Sequence, residues 1–313
     1  MLFYLLKRIL AVIPVMLIVA IIVFMMLRLT PGDPAAIIAG DAATSQDLIQ
    51  IRETLGLDRP IVVQFGIWIG NMLSGDFGVS FYYKRAVTSI IADRVGATVA
   101  LALFTLIIAC AVAIPIGTLA AYKQGSWIDR LVMGLSVVGF SVPVFVIGYV
   151  MIYFFSVKFG WFPVQGYQPL SEGLGGFIYR LIMPSSALSV IFIALIARMT
   201  RTSVLEVLNE DYVRTARAKG LSEIKVLTRH ALRNAAVPIV TVIGIAIAVL
   251  IGGVVVTESV FVIPGLGTLT IDAIQGRDYP TVQALIMLFS VVYVMINLII
   301  DVIYTLLDPR IRY

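Results

Sequence analysis

Six apolar runs govern what this chain can become: residues 9–27, 96–122, 131–157, 181–197, 235–256 and 282–300. Each approaches or exceeds the roughly 17–25 residues that a helix needs to cross about 30 Å of hydrocarbon. Strands of a barrel would alternate polar and apolar residues, and these runs do not. The chain is 60% hydrophobic and only 13% charged, whereas a soluble domain carries about 25% charged residues. Soluble enzyme, disordered chain and collagen-like fibre are excluded. The reading is an all-α polytopic membrane protein with six transmembrane helices. Lys7 and Arg8 precede the first run, which is longer than the ~7–15 apolar residues of a signal peptide, so it reads as an anchor.

The runs are also informative for what they lack. No Asp, Glu, Lys, Arg or His lies inside any of them; Arg28 stands at the outer end of the first and Asp301 at the inner end of the sixth. Ion-coupled pumps commonly place carboxylates or histidines at the membrane midplane. The chain has no G-x-x-x-x-G-K-[ST] phosphate loop, so active transport would need a separate ATPase chain. A passive channel or a membrane scaffold subunit is the alternative. A single cysteine, Cys110, allows no intrachain disulfide, and a single histidine, His230, excludes a zinc site built from several His and Cys ligands. No catalytic residue, cofactor site or metal site is read.

Basic residues set the orientation. The N-terminus, the second and fourth connections and the C-terminus share one side, and they hold 14 of the 23 Lys and Arg. That side is cytoplasmic by the positive-inside rule, with both termini inside.

The fourth connection, residues 198–234, is the most unusual stretch, with eight basic and four acidic residues. Asp211 can cap a short helix over 212–219. Gly220 suits the left-handed residue that ends such a helix, and Ser222 can cap a second helix over 223–234. A basic amphipathic segment of this kind can bind anionic headgroups. A compact Gly-centred corner is better explained as a docking element for a cytoplasmic partner.

The stretch Asp211-Tyr212-Val213-Arg214-Thr215-Ala216-Arg217-Ala218-Lys219-Gly220-Leu221-Ser222, followed by Arg229-His230-Ala231-Leu232-Arg233-Asn234 and Pro238, resembles the coupling loop of ABC importer permeases. The resemblance is to the dipeptide, oligopeptide, nickel and glutathione group. Arg214, Thr215 and Ala216 stand where the general E-A-A-x-x-x-G signature has Glu-Ala-Ala, a departure typical of the peptide group. Thr30-Pro31-Gly32-Asp33-Pro34, Gly75-Asp76-Phe77-Gly78-Val79-Ser80, Thr257-Glu258, Pro264-Gly265-Leu266-Gly267, Arg277-Asp278-Tyr279-Pro280 and Asp308-Pro309-Arg310-Ile311-Arg312 resemble further signatures of that group, in the same order.

The resemblance implies a permease of the bacterial inner membrane with the type I importer fold. It would work by alternating access beside a second homologous permease, two cytoplasmic ATPases and an extracytoplasmic binding protein, in contact with membrane lipids and without nucleic acid. Peptide or glutathione is the implied cargo, with a nickel-type importer as the alternative. The residues implied in ATPase coupling are Asp211, Tyr212, Arg214, Thr215, Ala216, Lys219, Gly220, Leu221, Ser222 and Glu223.

The expected organisation is an anchor helix over 1–29, an extracytoplasmic segment over 30–95, and a core of five spans over 96–313 that includes the loop 198–234. Within the outer segment, Ser45 opens a helix with Leu48, Ile51 and Leu55 on one face, and Pro60 opens another that reaches about Leu73. Phe65 and Trp68 would lie at the membrane interface. Asp33, Asp76, Glu258 and Asp278 are candidates for an outer gate or binding-protein contact; structural pairing is the other reading of these carboxylates.

Overall fold

The computed structural model describes residues 2–29 and 58–307. The Thr30–Pro34 motif with Asp33, the helix expected after Ser45, and the Asp308–Arg312 motif lie outside them. The described chain is helical, with one isolated bridge between Val79 and Ala86. In order the elements are α1 (Leu2–Leu29), α2 (Ile61–Leu73), α3 (Val87–Tyr122), α4 (Trp127–Ser141) and α5 (Val144–Met151), which continues as a π-helical turn, Ile152–Lys158. After a 3-10 turn come α6 (Leu174–Leu208) and α7 (Asp211–Ala218). Next are α8 (Glu223–Lys225), a second π-helical turn (Val226–Ala231) and α9 (Leu232–Asn234); α10 (Ala236–Phe261), α11 (Leu266–Gln275) and α12 (Tyr279–Leu307) complete the chain.

Helices α3, α6, α10 and α12 are each long and apolar enough to cross a membrane. The third expected span is not one straight helix: α4 and α5 meet at a bend of 102°. The cause is local. Pro143 offers no N–H to continue α4, and its ring forces Val142 into extended backbone, φ −90° and ψ 124°. Pro184, by contrast, lies inside an unbroken α6. In α1 the apolar helix Leu10–Met26 lies at the first expected span but is shorter than these four, so the described residues hold four helices of spanning length, or five spans if the bent pair is one, rather than the expected six.

The chain divides into two compact units. One comprises Val95–Thr268 and the chain from Met295 on. Its centre is α6, lined with small residues such as Ser185, Ala187, Ser189, Ala194 and Ala197, all buried. Small residues let membrane helices approach closely where no hydrophobic force drives them together. A Cβ on Gly117 of α3 would stand 2.6 Å from the Ala197 carbonyl oxygen, and one on Gly139 of α4 would meet Val190 at 3.2 Å. Gly253 of α10 faces Leu188 in the same way, whereas its neighbour Gly252 meets nothing within 4 Å. Leu101, Leu181, Leu188, Ile196, Phe192 and Ile263 form the heart of this core.

The other unit is Leu2–Arg94 with Leu269–Val294. Here Phe24 of α1 packs edge-on against Phe65 at 5.2 Å between centroids and lies 5.6 Å from Trp68. The aromatic pair of α2 is thus turned onto the first span. Pro60 precedes α2 as its N-cap.

Candidate functional site

The 198–234 stretch forms a compact corner. α6 runs on to Leu208, and a turn at Asn209 and Glu210 leads into α7. Asp211 does not cap this helix. Glu210 occupies the N-cap position without a side-chain cap bond, and Asp211, the first helical residue, pairs instead with Arg214 at 3.2 Å. The other end follows the expectation. Gly220 has φ +79°; its N–H donates to the Arg217 carbonyl at 2.9 Å, and the Leu221 N–H donates to Ala216 at 3.3 Å. These two bonds make a Schellman stop, which satisfies carbonyls that the helix end would leave unpaired. Ser222 precedes the next helix but makes no cap bond, and that helix contains the π-helical turn.

Val213 of α7 is buried with Val226 and Ala231 against Val204 and Leu208 of α6, and against Ala235 and Ile239 at the entry to α10; Ala216 of α7 is buried too. The corner therefore has its own small core and is packed against both flanking spans. Its outer face is polar and basic: Tyr212, Arg214, Thr215, Lys219, Ser222 and Lys225 are exposed, as is Ile224. Across Gly220, the Arg217 guanidinium donates two bonds to the Glu223 carboxylate, 2.9 and 3.2 Å. Partial burial, reinforced by the charge of Glu210, raises the Tyr212 pKa against a smaller opposing effect from Asn234. The phenol stays neutral at physiological pH.

The outer-segment candidates fall into two kinds. Asp76 is exposed and its carboxylate accepts the Gly78 N–H at 2.9 Å. Glu258 lies inside α10 rather than in the loop that follows, and it is fully buried. Its carboxylate accepts from the Thr98 hydroxyl at 2.6 Å and from the N–H groups of Gly267 and Thr268 at 2.8 and 3.0 Å. The last two are free donors at the start of α11, where negative charge is favoured. A side chain at Gly265 would collide with this carboxylate.

Asp278, also fully buried, accepts from Ser80 Oγ at 2.5 Å, from the Phe81 N–H at 2.9 Å and from Thr281 Oγ1 at 2.7 Å. It ties the tight turn over Ser80–Arg85 to the start of α12. Neither Glu258 nor Asp278 presents its carboxylate to an incoming protein in this conformation.

One polar feature escaped the sequence reading. Arg201 of α6 donates from Nε and Nη2 to the two oxygens of Asp129 on α4, at 2.9 and 2.8 Å. The only sequence signal is a lone acidic residue beside Arg130 in a short connection.

The profile of the family described as "binding-protein-dependent transport system inner membrane component" matches residues 113–313, and its N-terminal companion matches residues 1–102. The chain belongs to this family. As a member it is a multi-pass inner membrane component of a transport system that works with a binding protein. A probable peptide ABC transporter permease protein of Sinorhizobium fredii is 51% identical over 99% of both chains. A putative peptide transport system permease protein of Brucella abortus is 47% identical over 98% of both. A glutathione transport system permease protein of Salmonella typhimurium is 44% identical over the full length of both. Among solved structures, an inward-facing MetNI methionine ABC transporter matches with a TM-score of 0.58 at 20% identity, covering 70% of this chain and 96% of the other. That likeness establishes the all-α importer-permease fold.

Proposed function

We propose that this chain is one permease subunit of an ATP-driven importer of peptides or glutathione, and that residues 211–223 are its coupling element. The observation that carries the reading is the corner itself: a basic outer face on a rigid frame whose core is shared with α6 and α10. A segment that only attracted lipid headgroups would need the charge but not the frame. Movement of the corner would move both spans. The three relatives named above, peptide and glutathione permeases by name, support the cargo class over the nickel alternative.

The family and the distribution of basic residues support the rest of this reading. ATP hydrolysis belongs to two cytoplasmic ATPase subunits, a second homologous permease completes the pathway, and a binding protein delivers cargo from outside. Lipids surround the spans. Both termini and the 198–234 corner face the cytoplasm. Residues 1–29 are the anchor, 30–95 the outer segment and 96–313 the core. Asp76 is the exposed candidate for binding-protein contact, while Glu258 and Asp278 act by holding the outer segments in shape.

The test is reconstitution of the full complex in vesicles with labelled dipeptide, oligopeptide, glutathione or nickel. ATP-dependent uptake of a peptide or glutathione, absent without the ATPases, is the expected result. Uptake that persists without ATPases would return the reading to a passive channel. Nickel uptake alone would replace the cargo class.

A further inference from the structure

An ion pair between Asp129 and Arg201 joins α4 to α6. Asp129 is 6% exposed at its side chain and Arg201 22%. The pair is two-toothed, 2.9 and 2.8 Å, and the Gly125 N–H donates to the same carboxylate at 3.0 Å. Arg130, the next residue, is exposed. A planar guanidinium gripped at two points fixes orientation as well as distance.

A second fastening lies further along the same two helices. Gly139 of α4 faces Val190 and Ala194 of α6 at 3.2 and 3.5 Å, counted from the position of an added Cβ. Ten residues of helix separate Asp129 from Gly139, about 15 Å. One fastening would allow α4 to pivot on α6; two make them a single body. That body ends where α4 breaks at Val142 and Pro143. Beyond the break, Gly148 of α5 lies against Val260 and Phe261 of α10. At its other end α6 leads straight into the coupling corner.

We propose that Asp129 and Arg201 are positioning residues that make α4 travel with α6, so that displacement of the corner reaches the bend at Val142–Pro143. The proposal rests on the ATP-coupled reading given above. Each acts through the helix it holds.

The experiment uses the whole complex of both permeases, ATPases and binding protein in vesicles. Substrate moved per ATP hydrolysed is measured for the wild type, Asp129→Asn, Arg201→Lys and the doubly neutral Asp129→Asn/Arg201→Met. With subunit assembly and ATP turnover held, substrate per ATP is expected to fall about tenfold in the neutral variants, the size of a typical coupling energy. Arg201→Lys, which keeps charge but loses the fork, should be intermediate. A second arm replaces the ion pair by a covalent one: Asp129→Cys/Arg201→Cys in a Cys110→Ala background, joined by a short bifunctional thiol reagent. Joining should restore most of the lost coupling.

Wild-type substrate per ATP in an assembled doubly neutral variant would overturn the proposal, as would a joined pair that assembles without regaining coupling. If no variant assembles, the pair serves folding alone and the proposal also fails. Failure of the underlying reading has a different signature: the wild-type complex itself would show no ATP-dependent uptake.

Discussion

Arg217 and Glu223 face each other across Gly220, Nε to Oε1 at 2.9 Å and Nη2 to Oε2 at 3.2 Å. Both side chains are more than a third exposed, 37% and 39%. Water and salt therefore screen the pair, and exposed pairs contribute only about 0.2–1 kcal/mol. Glu223→Gln should lower the unfolding midpoint of the purified permease by no more than about 4 °C. Thermal unfolding in detergent at low and high salt checks this. A large loss would show that the corner depends on the pair rather than on its apolar core.

Gly220 is the corner's constrained point. Its φ of +79° lies in the left-handed region, and an added Cβ would meet nothing within 4 Å. The cost of Gly220→Val is therefore backbone strain of about 1–3 kcal/mol, not a clash. Gly220→Asn should be milder, because Asn visits this region readily. Gly220→Val is expected to reduce ATPase co-purification and uptake much more than membrane abundance. Gly175→Val is the control: a Cβ there also meets nothing within 4 Å, and its φ is not in the left-handed region. Normal uptake with full ATPase co-purification in Gly220→Val would remove this corner from the coupling path.

The sequence carried the four long apolar helices and the Gly220 stop because both are written in local chemistry. Apolar length marks a membrane helix, and Gly220 after an amphipathic turn marks a helix stop. The bend at Pro143 was less legible, since Pro14, Pro115 and Pro184 sit inside continuous helices. Which proline breaks a span depends on what surrounds it. Glu258 and Asp278 read as loop carboxylates from their position near the ends of apolar runs. Each also has a partner far along the chain, Thr98 at 160 residues and Ser80 at 198, and contacts of that kind leave no local pattern that exposes their burial. The Asp129–Arg201 pair is hidden for the same reason, with 72 residues between its members.

Glu258 holds three donors in a site with no solvent exposure. Glu258→Ala leaves the Thr98 hydroxyl and the N–H groups of Gly267 and Thr268 without this acceptor. A buried donor deprived of its partner costs about 1–3 kcal/mol. Thr98→Val, which removes one partner and retains volume, should be less damaging than Glu258→Ala. Membrane abundance and unfolding midpoint in detergent give the order. Wild-type values for Glu258→Ala would show that the carboxylate is dispensable for the start of α11.

Asp278 restrains the turn that carries Lys84 and Arg85, both exposed. Asp278→Ala frees the Ser80 hydroxyl and the Phe81 N–H. Trypsin should then cut at Lys84 or Arg85 faster in Asp278→Ala than in the wild type, with Ser80→Ala between them. Equal cleavage rates would mean that other bonds, such as Ser80 N–H to the Arg85 carbonyl at 2.9 Å, hold the turn alone.

The corner and the segment around Asp76 should lie on opposite sides of the membrane. Fourteen of 23 basic residues fall in the segments assigned to one side, and short basic loops remain cytoplasmic. Ser222 and Ser74 are both exposed, so cysteines at these positions report accessibility without disturbing packing. The background is Cys110→Ser, which removes the chain's only native thiol. A membrane-impermeant maleimide added to spheroplasts should label Ser74→Cys and spare Ser222→Cys, and inside-out vesicles should reverse the pattern. An inverted pattern would place the basic corner outside, beyond the reach of any cytoplasmic ATPase. Labelling of both sites from one side would require an odd number of crossings fewer or more between them, and would point first to α4 and α5, whose 102° bend makes them the span most able to enter and leave by the same face.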